Sequence, residues 1–100
     1  MFSPPVEQPK GLIGVLCDLS APTDDRAEAA SDLWEYDEAL SVLIAIASRE
    51  GEEERIVESC GESIWGIWKR TGGFDRAVYL SLPAIAQVEV AGLLDQKPDA

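Results

Sequence analysis

The feature that most restricts the fold of this chain is the spacing of its apolar residues, which recur every three or four positions and hardly ever alternate. Segment 53–70 shows this spacing over its whole length. At about 100° per residue, Val57, Ile64 and Trp68 fall within about 60° of one another, and Glu62 falls on the opposite face. The segment predicts a long amphipathic helix with Trp68 in the core, and the chain as a whole predicts an all-α fold.

The same helix carries small and aromatic residues that further define its faces. Gly61 shares the face of Trp68, and its missing side chain would let another backbone approach. Trp65 is expected at the edge of the core. Gly66 falls on the polar face, and Gly72 is expected to end the helix in a left-handed conformation.

Proline and capping residues divide the preceding segment into two helices. The first is predicted to begin near Pro9 and to end before Pro22. Thr23 is expected to cap the second. The predicted apolar face of the first helix consists of Leu12, Val15, Leu16 and Leu19, and that of the second of Ala27, Ala30, Leu33 and Trp34.

A third helix is predicted from Asp37, as its N-cap, to about Ser48. Apolar residues cover slightly more than half of its circumference, so we expect it to be the central helix. Gly51 should end this unit. The acidic run 52–54 is expected to open the long fourth helix, at the end where the helix dipole favours carboxylates.

Two shorter helices are predicted after Gly73. Phe74 and Asp75 have the pattern of a hydrophobic staple and N-cap for a short helix. Pro83 then opens a last helix with apolar residues in nearly every direction. Because segment 87–90 alternates in polarity, a strand is the alternative there.

Length and composition favour one domain. With 100 residues and 46% apolar residues, the chain is expected to form a single all-α domain at 9–96, with a disordered tail at 1–8 and a frayed end at 97–100. No apolar run approaches the roughly 18 residues of a membrane span. The N-terminal segment lacks the pattern of a secretory signal, and two cysteines are too few for a disulfide scaffold, so we expect a cytoplasmic protein.

The acidic residues are concentrated in one part of the chain. Segment 18–62 holds fourteen carboxylates against three arginines, and the rest of the chain is balanced, so the whole net charge of −11 lies there. This charge argues against binding of nucleic acid or anionic membranes, because both depend on lysine and arginine. It favours a basic protein partner, although an acidic surface kept for solubility is the alternative interpretation.

The sequence does not favour catalysis. Segment 61–66 resembles the Gly-x-Ser-x-Gly nucleophile motif, but it is one residue too long and is predicted to be helical. The chain has no histidine to act as a base or metal ligand. We therefore expect a protein that is not an enzyme and that needs no cofactor or metal.

Two parts of the chain resemble each other once the helices are placed. Segment 15–20, followed by a break and by the acidic start 24–26, parallels segment 42–47, followed by a break and by 53–55. Segment 38–47, EALSVLIAIA, is similar to the first helix of a HEAT or armadillo repeat. Over residues 12–68 the chain thus resembles this class, which implies a stack of antiparallel helical hairpins with five to six helices.

The resemblance implies a non-catalytic protein that binds a macromolecule along its second helices, here segments 24–36 and 53–70. Six carboxylates are expected on the solvent side of these two helices, as an acidic strip for a basic protein partner. They are Asp25, Glu28, Asp32, Glu35, Glu58 and Glu62. An immunity protein or antitoxin that neutralises a basic nuclease toxin would have the same charge pattern, and is the first alternative.

A structural homodimer is the further alternative. The last helix has more apolar surface than a small stack of hairpins is expected to bury, and a second copy would cover it. The residues expected to take part in self-association are Ile85, Val88, Val90, Leu93 and Leu94. The competing explanation is that this helix packs back into the core of its own chain.

Overall fold

The computed structural model describes residues 8–95, with side chains described through residue 92. All regular structure in this range is helical, which confirms the predicted all-α fold. The α-helices are α1 (Lys10–Cys17), α2 (Thr23–Asp32), α3 (Leu40–Ala47), α4 (Glu54–Thr71), α5 (Arg76–Ser81) and α6 (Ala84–Asp95). Segment 87–90 lies inside α6, so the strand alternative is wrong.

The expectations for the two chain ends lie almost entirely outside the described residues, which exclude 1–7 and 96–100. Gln8 is the exception. It was expected in the disordered tail, but its side-chain oxygen accepts a hydrogen bond from the amide of Leu12 at 3.1 Å. This bond occupies one of the free amides in the first turn of α1.

The central helix is α4, not α3. α4 packs against α2, α3 and α6, and nine of its 18 residues are buried. α3 has only eight residues, of which Leu43, Ile46 and Ala47 are buried, and it packs mainly on α4. The prediction that α3 is central was wrong. α3 is apolar around much of its circumference, but it is too short to contact several other helices. A helix of five turns can offer separate faces to several neighbours, and one of two turns cannot.

α2 and α4 are parallel neighbours. Near their first turns, the Thr23 hydroxyl donates to Glu53 Oε2 at 2.6 Å. Near the middle, the buried Ser63 hydroxyl donates to the carbonyl of Ala30. Towards their C-terminal ends, Trp34 packs on Gly66. α1 packs mainly against α2.

The predicted close approach at Gly61 is confirmed. A Cβ placed there would lie 3.1 Å from the Ala86 carbonyl oxygen and 3.2 Å from its Cα. Ala86 and Val90 are fully buried at this contact between α4 and α6. Much of the apolar surface of the last helix, up to residue 92, is therefore covered by its own chain.

The predicted helix-end roles of Gly72 and Asp75 are confirmed, and so is the packing of Phe74 on Tyr79. Gly51 and Gly72 both have the left-handed φ values, 81° and 73°, that glycine adopts without strain. Asp75 caps α5 by accepting a hydrogen bond from the Val78 amide at 3.1 Å. The Phe74 ring lies 5.8 Å from that of Tyr79 and 5.1 Å, edge to face, from that of Trp68.

The first helix ends before Pro22, as predicted, but Leu19 of its predicted apolar face lies beyond its last residue, Cys17. Asp18 leaves the helix with ψ of 101°, and its side chain accepts hydrogen bonds from the Ser20 amide and hydroxyl at 2.9 and 2.6 Å. This local turn competes with another turn of helix. Leu19 therefore lies outside the helix and is 69% exposed. Within α1, Leu16 is fully buried, Leu12 is half-buried and Val15 is exposed, so the predicted apolar face is only partly covered.

The capping predictions for Thr23 and Asp37 were wrong. Pro22 precedes the first helical residue of α2, and Thr23 is that residue. Asp37 begins a short 3₁₀ turn instead of capping α3, because residues 33–39 form two such turns before Leu40. Both side chains instead contact residues that are distant in the sequence. Thr23 donates a hydrogen bond to Glu53, and Asp37 forms an ion pair with Arg70.

A buried ion pair, which the sequence did not indicate, joins α1 and α2 to the segment that precedes α4. Arg26 of α2 binds Glu52 through two hydrogen bonds of 3.1 and 2.9 Å, and the two side chains are 6% and 3% exposed. Arg26 Nε also donates to the Leu16 carbonyl of α1 at 2.9 Å. Glu52 was expected in the acidic start of the fourth helix, but it precedes α4 and its side chain is buried.

Candidate functional site

The six carboxylates predicted to form the acidic strip are all exposed. Three lie on α2, one follows α2 and two lie on α4: Asp25, Glu28, Asp32, Glu35, Glu58 and Glu62. Within residues 8–92, the ion pairs involve other carboxylates, namely Asp24, Asp37 and Glu52. The six charges are thus not compensated by ion pairs inside the described part of the chain.

The α2 and α4 carboxylates form two groups. Thr23 marks the side of α2 that faces α4, because its hydroxyl meets Glu53. At about 100° per residue, Asp25, Glu28 and Asp32 lie roughly 140° to 180° around α2 from Thr23. The α2 carboxylates therefore point away from α4, whose own acidic residues face the solvent between α2 and α6.

A third carboxylate, Glu89 of α6, joins the pair on α4. A Cβ at Gly61 would lie 3.2 Å from the Glu89 Cβ, so this residue lies directly across the point where the two helices touch. Partial burial raises the pKa of Glu89, and the negative charges of Glu58 and Glu62 raise that pKa further. We call Glu58, Glu62 and Glu89 the acidic face.

Sequence reasoning missed Glu89 because nothing local marks it. The only signal was Gly61, which predicted that some segment would approach α4 closely without indicating which one. In the sequence, Glu89 is only one of the polar positions of the alternating segment 87–90. Its position beside two other carboxylates follows from the packing of α6 on α4.

The cations near the acidic face are engaged elsewhere or stand further along α4. Arg55 pairs with Asp24, and Arg70 pairs with Asp37. Lys69 shares the solvent side of α4 with Glu62, but seven residues separate them, which corresponds to about 10 Å along the helix axis. The acidic face is therefore bounded by cations at its ends and has none between its three carboxylates in the described chain.

The residues that suggested catalysis are in the core. Cys60 is fully buried, and burial, followed by the charge of Glu52, raises the pKa of its thiol to about 12. The Ser63 hydroxyl is 1% exposed and donates to the Ala30 carbonyl. Neither group is arranged as a nucleophile in this conformation, because one stays protonated at neutral pH and the other is bound to backbone.

The residues predicted for self-association have different environments. Val88 is 69% exposed, Ile85 is half-buried against the core, and Val90 is fully buried inside its own chain. The side chains of Leu93 and Leu94 lie outside the described residues. Of the five, Val88 is the one whose described side chain is available to a second copy.

Comparison of the chain with protein-family models, curated proteins and solved structures finds no match. The resemblance to HEAT and armadillo repeats stays a prediction from the sequence. No helix in the described range combines the length and the apolar character needed to cross a membrane. Nor do His, Cys, Asp and Glu side chains in that range come together in a group of three that could hold a metal ion.

Proposed function

We propose that this protein is a non-catalytic protein-interaction module whose acidic face binds a basic segment of a protein partner. The observation that carries the proposal is the convergence of Glu58, Glu62 and Glu89 on one solvent-facing side of α4 and α6. The α2 carboxylates add negative potential nearby without sharing this side.

Electrostatics supports a basic partner. Three carboxylates that repel one another are stabilised when a cation approaches. Burial is the main cause of the raised pKa of Glu89, and the cation relieves the repulsion by Glu58 and Glu62 that adds to it. A net charge of −11 also attracts cationic partners at long range and speeds association. Because exposed charges are screened over about 10 Å at 0.1 M salt, the affinity should fall as salt is added.

The test compares two charge reversals of equal size. The probe is a peptide of alternating glycine and arginine, the arginine peptide, titrated by calorimetry at low and moderate salt. Glu58→Lys with Glu62→Lys changes the acidic face, and Asp25→Lys with Asp32→Lys makes the same change of net charge on α2. Circular dichroism checks that both variants keep the fold.

We expect the α4 variant to lose affinity on the order of tenfold or more, and the α2 variant to lose clearly less. Equal losses in both variants would show that only net charge attracts the peptide. If the peptide shows no salt-dependent binding to the unmodified protein, the acidic surface serves solubility and the proposal fails.

There are two alternative functions: a more specific form of the same binding role, and a structural homodimer. An immunity protein or antitoxin is the case in which the basic partner is a nuclease toxin, and the same acidic face would mask the phosphate-binding surface of the toxin.

A homodimer is supported by the exposure of Val88 on α6. Sedimentation equilibrium at about 100 μM distinguishes the homodimer, because a monomer of about 11 kDa at that concentration excludes a micromolar dimer.

A further inference from the structure

Trp34 is a large aromatic residue that the core leaves partly uncovered. The sequence placed it on the buried side of the second helix, but it follows the end of α2 and is 44% exposed. Its neighbour Leu33 is fully buried and takes the core position. The Trp34 side chain is therefore available at the surface, at the border between α2 and α4.

The structure holds Trp34 in place before any partner binds. A Cβ at Gly66 would lie 2.9 Å from the Trp34 Cβ, so Trp34 packs directly on the backbone of α4. Arg70 donates to the Trp34 carbonyl at 2.9 Å and is itself paired with Asp37. A side chain fixed in this way loses little conformational freedom on binding, which favours affinity.

Trp34 adjoins the acidic face. Glu62 stands one helical turn before Gly66 on the same side of α4, and Glu35 follows Trp34 in the chain. Both carboxylates are exposed. Lys69 stands one turn after Gly66, on the C-terminal side, so an arriving cation meets negative charge only on the Glu62 side of the indole.

An aromatic ring beside unpaired carboxylates suits one chemical group best. A guanidinium is planar, stacks on an aromatic face and pairs with a carboxylate in the same orientation. We infer that Trp34 is a binding residue for an arginine side chain of the basic partner, whose guanidinium stacks on the indole and pairs with Glu62. This inference rests on the function proposed above and names the partner group that is recognised.

The test uses the arginine peptide and a second peptide with lysine in place of arginine. Trp34→Leu keeps an apolar side chain and removes the aromatic ring. Phe74→Leu is the matched control, since Phe74 is also 44% exposed but contacts Trp68, on the opposite side of α4 from Gly66. Thermal melts of both variants establish that they are folded.

We expect Trp34→Leu to weaken binding of the arginine peptide about two- to fivefold, the range for an exposed cation–π contact, and Phe74→Leu to leave it unchanged. The unmodified protein should prefer arginine over lysine, and Trp34→Leu should abolish that preference. The indole N–H resonance of Trp34 should also shift on addition of the arginine peptide, which tests the contact even if the variant folds poorly.

Two results separate the inference from the proposed function. If reversal of Glu58 and Glu62 abolishes binding but Trp34→Leu changes neither affinity nor the arginine preference, Trp34 is not a binding residue and the acidic face alone acts. If the arginine peptide does not bind the unmodified protein at low salt, the proposed function fails, and this inference fails with it.

Discussion

The buried pair of Arg26 and Glu52 gives the strongest prediction about stability. Both side chains are almost fully removed from water, and Arg26 also binds the Leu16 carbonyl near the end of α1. Arg26→Ala would leave the Glu52 carboxylate and this carbonyl without their main partner. Breaking a buried ion pair by removal of one member typically costs about 3–5 kcal/mol.

That cost is large compared with the roughly 5–15 kcal/mol that stabilises a typical domain. Urea unfolding followed by circular dichroism measures it directly. Arg55→Ala provides the control, because the Arg55–Asp24 pair is 62% and 74% exposed. An exposed pair of this kind contributes about 0–1 kcal/mol, so Arg55→Ala should shift the midpoint only slightly.

The pH dependence of the same pair has a definite sign. Burial by itself would raise the pKa of Glu52, but hydrogen bonds from Arg26 and the Glu53 amide, together with the charges of Arg26 and Arg49, lower it below its ordinary value. A carboxyl whose pKa is lowered by folding stabilises the fold above its unfolded pKa. This contribution is lost as pH falls through the folded pKa, and Arg26→Ala should remove that loss.

A double-mutant cycle with Arg26→Ala and Glu52→Ala completes the test. The two changes should be strongly non-additive, because either one already destroys the pair. The reasoning is refuted if the coupling energy is near zero, or if Arg26→Ala costs no more than Arg55→Ala. Either result would mean that water or another side chain replaces the lost partner at little cost.

Three further predictions concern single sites. Gly61→Ala should destabilise the fold by about 1–3 kcal/mol in urea unfolding, because the Ala86 backbone lies close to the added Cβ. Gly14→Ala is the control and should stabilise the fold by roughly 0.5–1 kcal/mol, because no atom lies within 4 Å of the added Cβ. A gain in stability for Gly61→Ala would contradict the tight contact. Trp68→Ala should cost about 3–5 kcal/mol and Trp65→Ala less, since these residues are 2% and 9% exposed; the reverse order would show a wrong helix phase. Glu89→Gln should raise the melting temperature at pH 7 and not below about pH 4. A carboxyl whose pKa is raised by folding destabilises the fold as pH rises and the group ionises. Equal melting temperatures of the variant and the unmodified protein at pH 7 would refute this destabilisation.

The sequence alone determined the features that depend on local pattern. The spacing of Val57, Ile64 and Trp68 set the phase of α4, and these residues are buried. Gly61 and Gly72 were correctly interpreted because a close approach and a left-handed turn each require the absence of a Cβ. Such signals depend on only a few neighbouring residues, so they do not change with the segment that packs against the helix.

Tertiary structure alone decided the partners of each surface. Arg26 and Glu52 are 26 residues apart, and each reads as an ordinary exposed charge until the fold brings them together. Trp34 has an apolar side chain that favours the core, yet Leu33 takes the buried position and Trp34 remains at the border with α4. Glu89 joined the acidic face only because α6 crosses α4 at Gly61. Periodicity shows which face of a helix is apolar, but the neighbour that covers it is chosen by the packing of the whole chain.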